Sequence, residues 1–155
     1  MDYETGFYVR AAHVFDRAGH LYIQRYLHGR TFIYQFTMMI NVFGNEKLIN
    51  KLCLAYGGHI TKSRWRVVEN QAKLFLTDIM PHSKRYDYIK LAMDYFQLRQ
   101  ERWLNRHRIT GLKEFPNMQG VIRYVPVFSF NFPYSDKFDE LREQLKHFKK
   151  NSTTP

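Results

Sequence analysis

A chain of 155 residues, 45% of them hydrophobic, can bury one domain-sized core, and no apolar run in it approaches the roughly 18–20 residues of a membrane span. Its 24 Lys and Arg against 14 Asp and Glu leave a formal charge of +10, so the partner this composition asks for is a polyanion, not a membrane. One cysteine, Cys53, excludes an internal disulfide and a cysteine-based zinc centre, and the seven histidines show no ligand spacing, so no cofactor is expected.

The first element is a helix over Phe7–Arg17, where Val9, Ala11, Ala12, Val14 and Phe15 form a dense apolar stripe; Gly19 is expected to end it as a left-handed C-cap. The period then drops to two. His20–Tyr26 reads as a strand, His28-Gly29-Arg30 as a turn, and Thr31–Val42 as a second strand rich in aromatic and β-branched residues. Gly44-Asn45 breaks that strand and caps a helix over Glu46–Tyr56, which Gly57-Gly58 stops. His59–Lys62 and Arg64–Glu69 form a hairpin. Asn70 caps a helix over Gln71–Met80, which Pro81 ends, and a long helix follows over Ser83–Arg108. Lys113–Asn131 is mixed, with a strand-like Val121–Phe130. Asp136–Lys149 is an amphipathic helix whose Phe138, Leu141, Leu145 and Phe148 share a face, and the polar tail Asn151–Pro155 is expected to fray.

This order predicts an α+β fold: a four-stranded antiparallel sheet with helices on one face and the other face open. Residues 1–108 form the domain, and 109–155 are an extension packed on or beside it. Alternation assigns the faces. Leu21, Ile23, Trp65 and Val67 point to the core. The open side therefore carries His20, Tyr22, Gln24 and Tyr26 from the first strand and Gln35, Thr37, Met39 and Asn41 from the second. His59, Thr61, Arg64 and Arg66 join them from the hairpin. Amides, hydroxyls, arginines and aromatics of this kind can read base edges or stack on bases; an ordinary solvated face is the competing reading. The long helix adds Lys84, Arg85, Lys90, Arg99, Arg102, Arg106 and Arg108 against Asp87, Asp94 and Glu101, and its one-sided Arg99–Arg108 run reads as a phosphate contact.

Three patterns in this order resemble the LAGLIDADG homing endonucleases. The first is Ala11-Ala12-His13-Val14-Phe15-Asp16-Arg17-Ala18-Gly19, followed at once by the strand His20-Leu21-Tyr22-Ile23. The second is Leu48-Ile49-Asn50-Lys51-Leu52 leading into Tyr56-Gly57-Gly58-His59-Ile60. The third is Trp65-Arg66-Val67, then Phe75-Leu76-Thr77-Asp78-Ile79-Met80-Pro81 with Lys84-Arg85 just after. The resemblance spans about residues 5 to 105 and makes the chain a degenerate, single-motif member.

In that family the resemblance implies cleavage by a divalent metal held on the acidic residue before the motif's final Gly, where the ion neutralises phosphate charge and activates water. Here that position is Ala18. Asp16 matches a different residue of the motif and points about 200° away around the helix. Asn41 fits the polar group expected late in the second strand. The basic residue expected after Pro81 falls on Tyr86, with Lys84 and Arg85 close by. Asp16, Ala18, Asn41 and Lys84 are therefore read as vestigial catalytic positions. Members with one motif pair two copies through the first helix, using small residues where this chain has His13 and Arg17, so a homodimer is not expected.

The favoured reading is a non-catalytic binder of nucleic acid, RNA over DNA, such as organellar ribosomal or intron RNA, within a ribonucleoprotein. Two alternatives stand beside it: an active Mg²⁺-dependent endonuclease cutting double-stranded DNA, with Asp16 or a partner chain supplying the carboxylate, and a DNA-binding regulator. Met1-Asp2-Tyr3-Glu4 is acidic where a signal or transit peptide would be basic. The expected location is the interior of a mitochondrion or chloroplast that encodes the protein, or the cytoplasm of a prokaryotic or viral source.

Overall fold

The computed structural model describes residues 3–29, 31–104, 109–116, 120, 122–128 and 134–152. The chain runs α1 (Tyr3–Ala18), β1 (Gly19–His28), β2 (Thr31–Asn41), α2 (Glu46–Tyr56), β3 (His59–Thr61), β4 (Arg64–Val68), α3 (Glu69–Ile79), a 3-10 turn (Met80–His82), α4 (Tyr86–Leu104), β5 (Ile109–Pro116), β6 (Ile122–Phe128) and α5 (Tyr134–Ser152). β1 to β4 form one antiparallel sheet in the order β1-β2-β4-β3, and β5 pairs with β6 in a separate two-stranded sheet.

The apolar period of each element decides what it buries. Alternation on the strands sends Leu21, Ile23, Phe36, Met38, Ile40, Trp65 and Val67 to one side, where each is under 4% exposed. Helical spacing brings Phe15, Ile49, Leu52, Phe75, Leu76, Tyr88, Ile89 and Tyr95 onto them from α1 to α4. α5 joins the same core through Phe138 and Leu145, with Leu141 and Phe148 partly buried against it; its helix continues through Ser152, into the segment expected to fray. Among the described residues, no helix is long and apolar enough to cross a membrane.

Several local expectations are corrected. Gly19 is not a left-handed cap. It opens β1, and a Cβ there would lie 2.2 Å from Phe15 Cδ2, so glycine supplies clearance for the Phe15 ring. Gly57 and Gly58 do take positive φ, 80° and 90°, as a helix stop requires. Asn45 occupies the N-cap position of α2 without a side-chain cap bond; its amide donates to Phe43 O, and the Glu46 carboxylate accepts Gly44 N–H. Asn70 lies inside α3, whose N-cap is Val68, and accepts a hydrogen bond from Arg99. α4 begins at Tyr86, three residues later than its pattern suggests, because 83–85 form a strap tied to α1. A single strand was expected late in 113–131, but a hairpin of two strands occupies that region. Arg30, Val121, Phe130 and Asn131 lie outside the described residues.

Side chains complete both flanks of the β1–β2 ribbon. β1 is a sheet margin, and side chains take up outward backbone groups along its first half, from Gly19 to Ile23. Arg85 Nη1 donates to Gly19 O, the Tyr88 hydroxyl accepts Leu21 N–H and donates to Leu21 O, and Arg142 Nε donates to Ile23 O. On the other flank β4 stops at Val68, and β2 continues against Glu69, whose carboxylate accepts Phe36 N–H at 3.0 Å and the Tyr95 hydroxyl at 3.1 Å and pairs with Arg99 at 3.2 Å. Glu69 holds a positive φ of 52°, a conformation a non-glycine residue keeps only when its surroundings fix it, as these three contacts do.

Candidate nucleic-acid interface

The second face of the sheet is built by the same alternation that builds the core. Strand register sets its side chains in rows. His59, Arg66, Met39 and His20 cross all four strands; Thr61, Arg64 and Asn41 form the next row on three of them. Toward the β1–β2 turn follow Val68, Thr37 and Tyr22, then Gln35 with Gln24, then Ile33 with Tyr26. The open-face residues expected from alternation are therefore brought together on one surface. His59, Thr61, Arg64, Arg66, Asn41 and Tyr26 are exposed, and His20, Tyr22, Gln24 and Gln35 are half-buried.

Thr37 is the exception. It lies in a central strand between Tyr22 and Val68 and is 1% exposed, so it cannot serve as an accessible contact; its hydroxyl is buried with no hydrogen-bond partner among the described residues. Ile33, 43% exposed beside Tyr26, belongs to this face by its odd number in β2, a signal that alternation carried and the residue's apolar nature hid.

The face has two chemically different ends. At one, Arg64 and Arg66 point from neighbouring rows with His59 beside Arg66 and His20 two strands away across Met39; neither arginine is in an ion pair among the described residues, so both charges are open to phosphate. At the other, Tyr26 and Ile33 present apolar surface, and the Tyr26 hydroxyl donates to Gln24 Oε1 at 2.7 Å. Asn41 Oδ1 accepts Phe43 N–H, which fixes the side chain and leaves its amide hydrogens for another acceptor.

The basic residues of the long helix are placed elsewhere. Arg85 is half-buried, bonded to Gly19 O and lying 4.2 Å from the Tyr88 ring centroid. Arg99 is held by Glu69 and Asn70. Arg102 is half-buried, 5.9 Å from the Phe138 ring, and burial pulls its guanidinium below its usual pKa. These three arginines serve the helical layer: Arg85 from the strap ahead of α4 reaches the start of β1, and α4 turns Arg99 toward α3 and Arg102 toward α5. Lys84 and Lys90 remain exposed; Arg106 and Arg108 lie outside the described residues.

The positions that the sequence resemblance marks as catalytic are Asp16, Ala18, Asn41 and Lys84. Ala18 is half-buried and offers a methyl group in place of an oxygen ligand. Asp16 is committed elsewhere: one carboxylate oxygen accepts the Ser83 hydroxyl and the other Lys84 N–H at 2.9 Å, which ties the strap before α4 to α1. No group of three or more His, Cys, Asp or Glu that could hold a metal ion occurs among the described residues. The residues present at this position do not fit a metal site. His13 and Arg17 are exposed on α1.

No family model matches the chain, and no curated protein matches it in sequence. Solved structures do. A crystal structure of the homing endonuclease I-CvuI in complex with the I-CreI target, in the presence of 2 mM Mg and with the DNA not cleaved, is similar with a TM-score of 0.51 at 14% identity, over 63% of this chain and 68% of that chain. A second, of I-CvuI with its target Sro1.3 and 2 mM Ca, gives 0.46 at 11% identity over 96% of each chain. The first likeness shows the architecture: an α+β domain whose antiparallel sheet carries helices on one side.

Proposed function

From the premise of a homing-endonuclease fold, we propose that this chain binds nucleic acid through the open face of its sheet and does not cut it, and that its target is structured RNA, of the organellar ribosomal or intron kind, within a ribonucleoprotein. The observation that carries this reading is the pair of neighbouring rows that contain Arg64 and Arg66, on a face that also bears His20, Asn41, His59 and Tyr26. Arg64 and Arg66, which form no ion pair among the described residues, supply phosphate attraction, and the amide, imidazole and phenol groups supply contacts to bases and riboses. Binding without cleavage is supported by Ala18 at the position where a carboxylate would be needed and by the engagement of both Asp16 oxygens. The RNA preference is supported by Tyr22 and Tyr26 on this face, which can stack on unpaired bases. The neighbouring structures are DNA complexes, which makes duplex DNA the comparison target.

The test is a direct competition. The purified chain is titrated with a labelled RNA stem–loop and with a DNA duplex of equal length, and nucleic acid that co-purifies with the native protein is sequenced. Tighter binding to the RNA, together with a defined co-purifying RNA, is the expected result. Preference for the duplex would move the protein to the DNA-binding alternative.

A further inference from the structure

We propose a second nucleic-acid contact, off the sheet, in the groove between α1 and the loop that joins β2 to α2, with the sugar–phosphate backbone as its occupant. The groove is open and encloses about 780 Å³. α1 contributes Arg10, His13 and Arg17, whose i, i+3, i+7 spacing puts them on one stripe of the helix. The first turn of α2 contributes Lys47 and Glu46. All five are exposed. Arg10, Arg17 and Lys47 form no ion pair among the described residues, while a Glu46 oxygen accepts Gly44 N–H. Three permanent cations against one engaged carboxylate make the groove a site for anions. An open trough lined by several such cations suits a repeated anion better than a single small one.

The groove continues the sheet face. β2 ends at Asn41, in the row with Arg64 and Thr61, and the next residues lead through Gly44 into the groove wall. α1 ends at Ala18, one residue before β1, so Arg17 flanks the corner where His20 begins the open face. A backbone crossing the Arg64–Asn41 row therefore meets a cationic path onto α1. A second copy of the chain suits this stripe poorly, since a two-fold contact would set Arg10 and Arg17 against their own equivalents.

This inference rests on the nucleic-acid reading of the sheet, so the experiment separates the two. A labelled RNA stem–loop is titrated over a range of salt with the wild type, with an Arg10→Gln, Arg17→Gln, Lys47→Gln triple variant and with an Arg64→Gln, Arg66→Gln double variant. Thermal melts confirm that all three are folded, and sedimentation gives their mass. The expected result is a monomer whose log K against log salt becomes shallower by about two in the triple variant, at roughly 0.7 per lost contact to a single strand. An unchanged slope in the triple variant, with the double variant weakened, overturns the groove and leaves the sheet reading intact. A wild-type dimer that the triple variant alters would give the groove to a second copy. A wild type that does not bind overturns both readings.

Discussion

Trp65 and its two neighbours test face assignment and function in one experiment. Trp65 is 0% exposed, donates from Nε1 to Gly57 O at 2.9 Å and meets the Phe75 ring edge-on at 5.2 Å, whereas Arg64 and Arg66 point from the same strand into solvent. Replacing Trp65 with Ala removes a buried indole of roughly 200 Å², worth about 5 kcal/mol at about 25 cal/mol per Å². Partial collapse of the site brings the expected loss to about 3–5 kcal/mol. In urea, with a slope of about 2 kcal/mol per molar, the unfolding midpoint falls by about 2 M. Trp65→Phe keeps most of the packing but leaves the Gly57 carbonyl without its donor, and should lose less. Arg64→Ala and Arg66→Ala should move stability by under about 0.5 kcal/mol while weakening binding. The assay is urea unfolding followed by circular dichroism, paired with an RNA titration of each variant. A Trp65→Ala protein that keeps its midpoint and loses binding, beside arginine variants that bind normally, would put the tryptophan on the contact face and refute the assignment.

Plasmid DNA incubated with the protein in Mg²⁺ or Mn²⁺ should remain intact on agarose gels; nicking that vanishes in Asp16→Ala would locate a working carboxylate there. Asp16→Ala should instead cost about 1.5–3 kcal/mol in denaturant unfolding, by freeing the Ser83–Lys84 strap from α1, with nucleic-acid affinity kept. Wild-type affinity should fall steeply with salt, at about 0.7–0.9 log units per phosphate contact per log unit of salt; a flat response in a fluorescence titration would mean that the +10 charge faces elsewhere. Burial raises the pKa of Tyr88, and burial followed by the Glu69 charge raises that of Tyr95, so both phenols stay neutral in the fold. Their contribution to stability is complete below about pH 10, the unfolded value, and is lost as pH rises from there toward the folded values. Tyrosinate absorbance should therefore rise cooperatively with alkaline unfolding, and ionisation of all tyrosines before the helical signal changes would contradict their burial.

Period and punctuation made most of the fold legible. Alternation in 19–28 and 31–41 places Leu21, Ile23, Phe36 and Ile40 inward, and one slip of register would have exchanged the faces, so the core and the open surface were readable together. The misplaced features belong to contacts between residues far apart in sequence. Nothing local to Asn70 reveals that Glu69 completes the flank of β2 or that Arg99 reaches back to both. The charge of Arg85 and Arg102 reads as surface in the sequence, yet Tyr88 and Phe138 supply faces on which a guanidinium can lie half-buried. Thr37 shows the converse: its place in the alternation is right, but the neighbours on either side cover it. Cationic residues in α1 and after β2 lie thirty or more positions apart, so the groove they share could not be seen before the fold was known.

The guarded first half of the β1 margin bears on how this protein can be cut down or fused. A ten-residue strand with free outward amides and carbonyls is a template on which other strands nucleate. Here the first half of that edge is guarded by Arg85 and Tyr88 ahead of and within α4 and by Arg142 on α5, so part of the guard is encoded about 120 residues after the strand it protects. A fragment that ends before α5 would keep the four-stranded sheet and α1 to α4, yet expose Ile23 O and unroof the core at Phe138 and Leu145. Until α5 docks, a chain emerging from the ribosome carries the same unfinished margin. Early engagement of the proposed polyanionic target, by holding the sheet from its other side, would shorten the interval in which that margin can find the wrong neighbour.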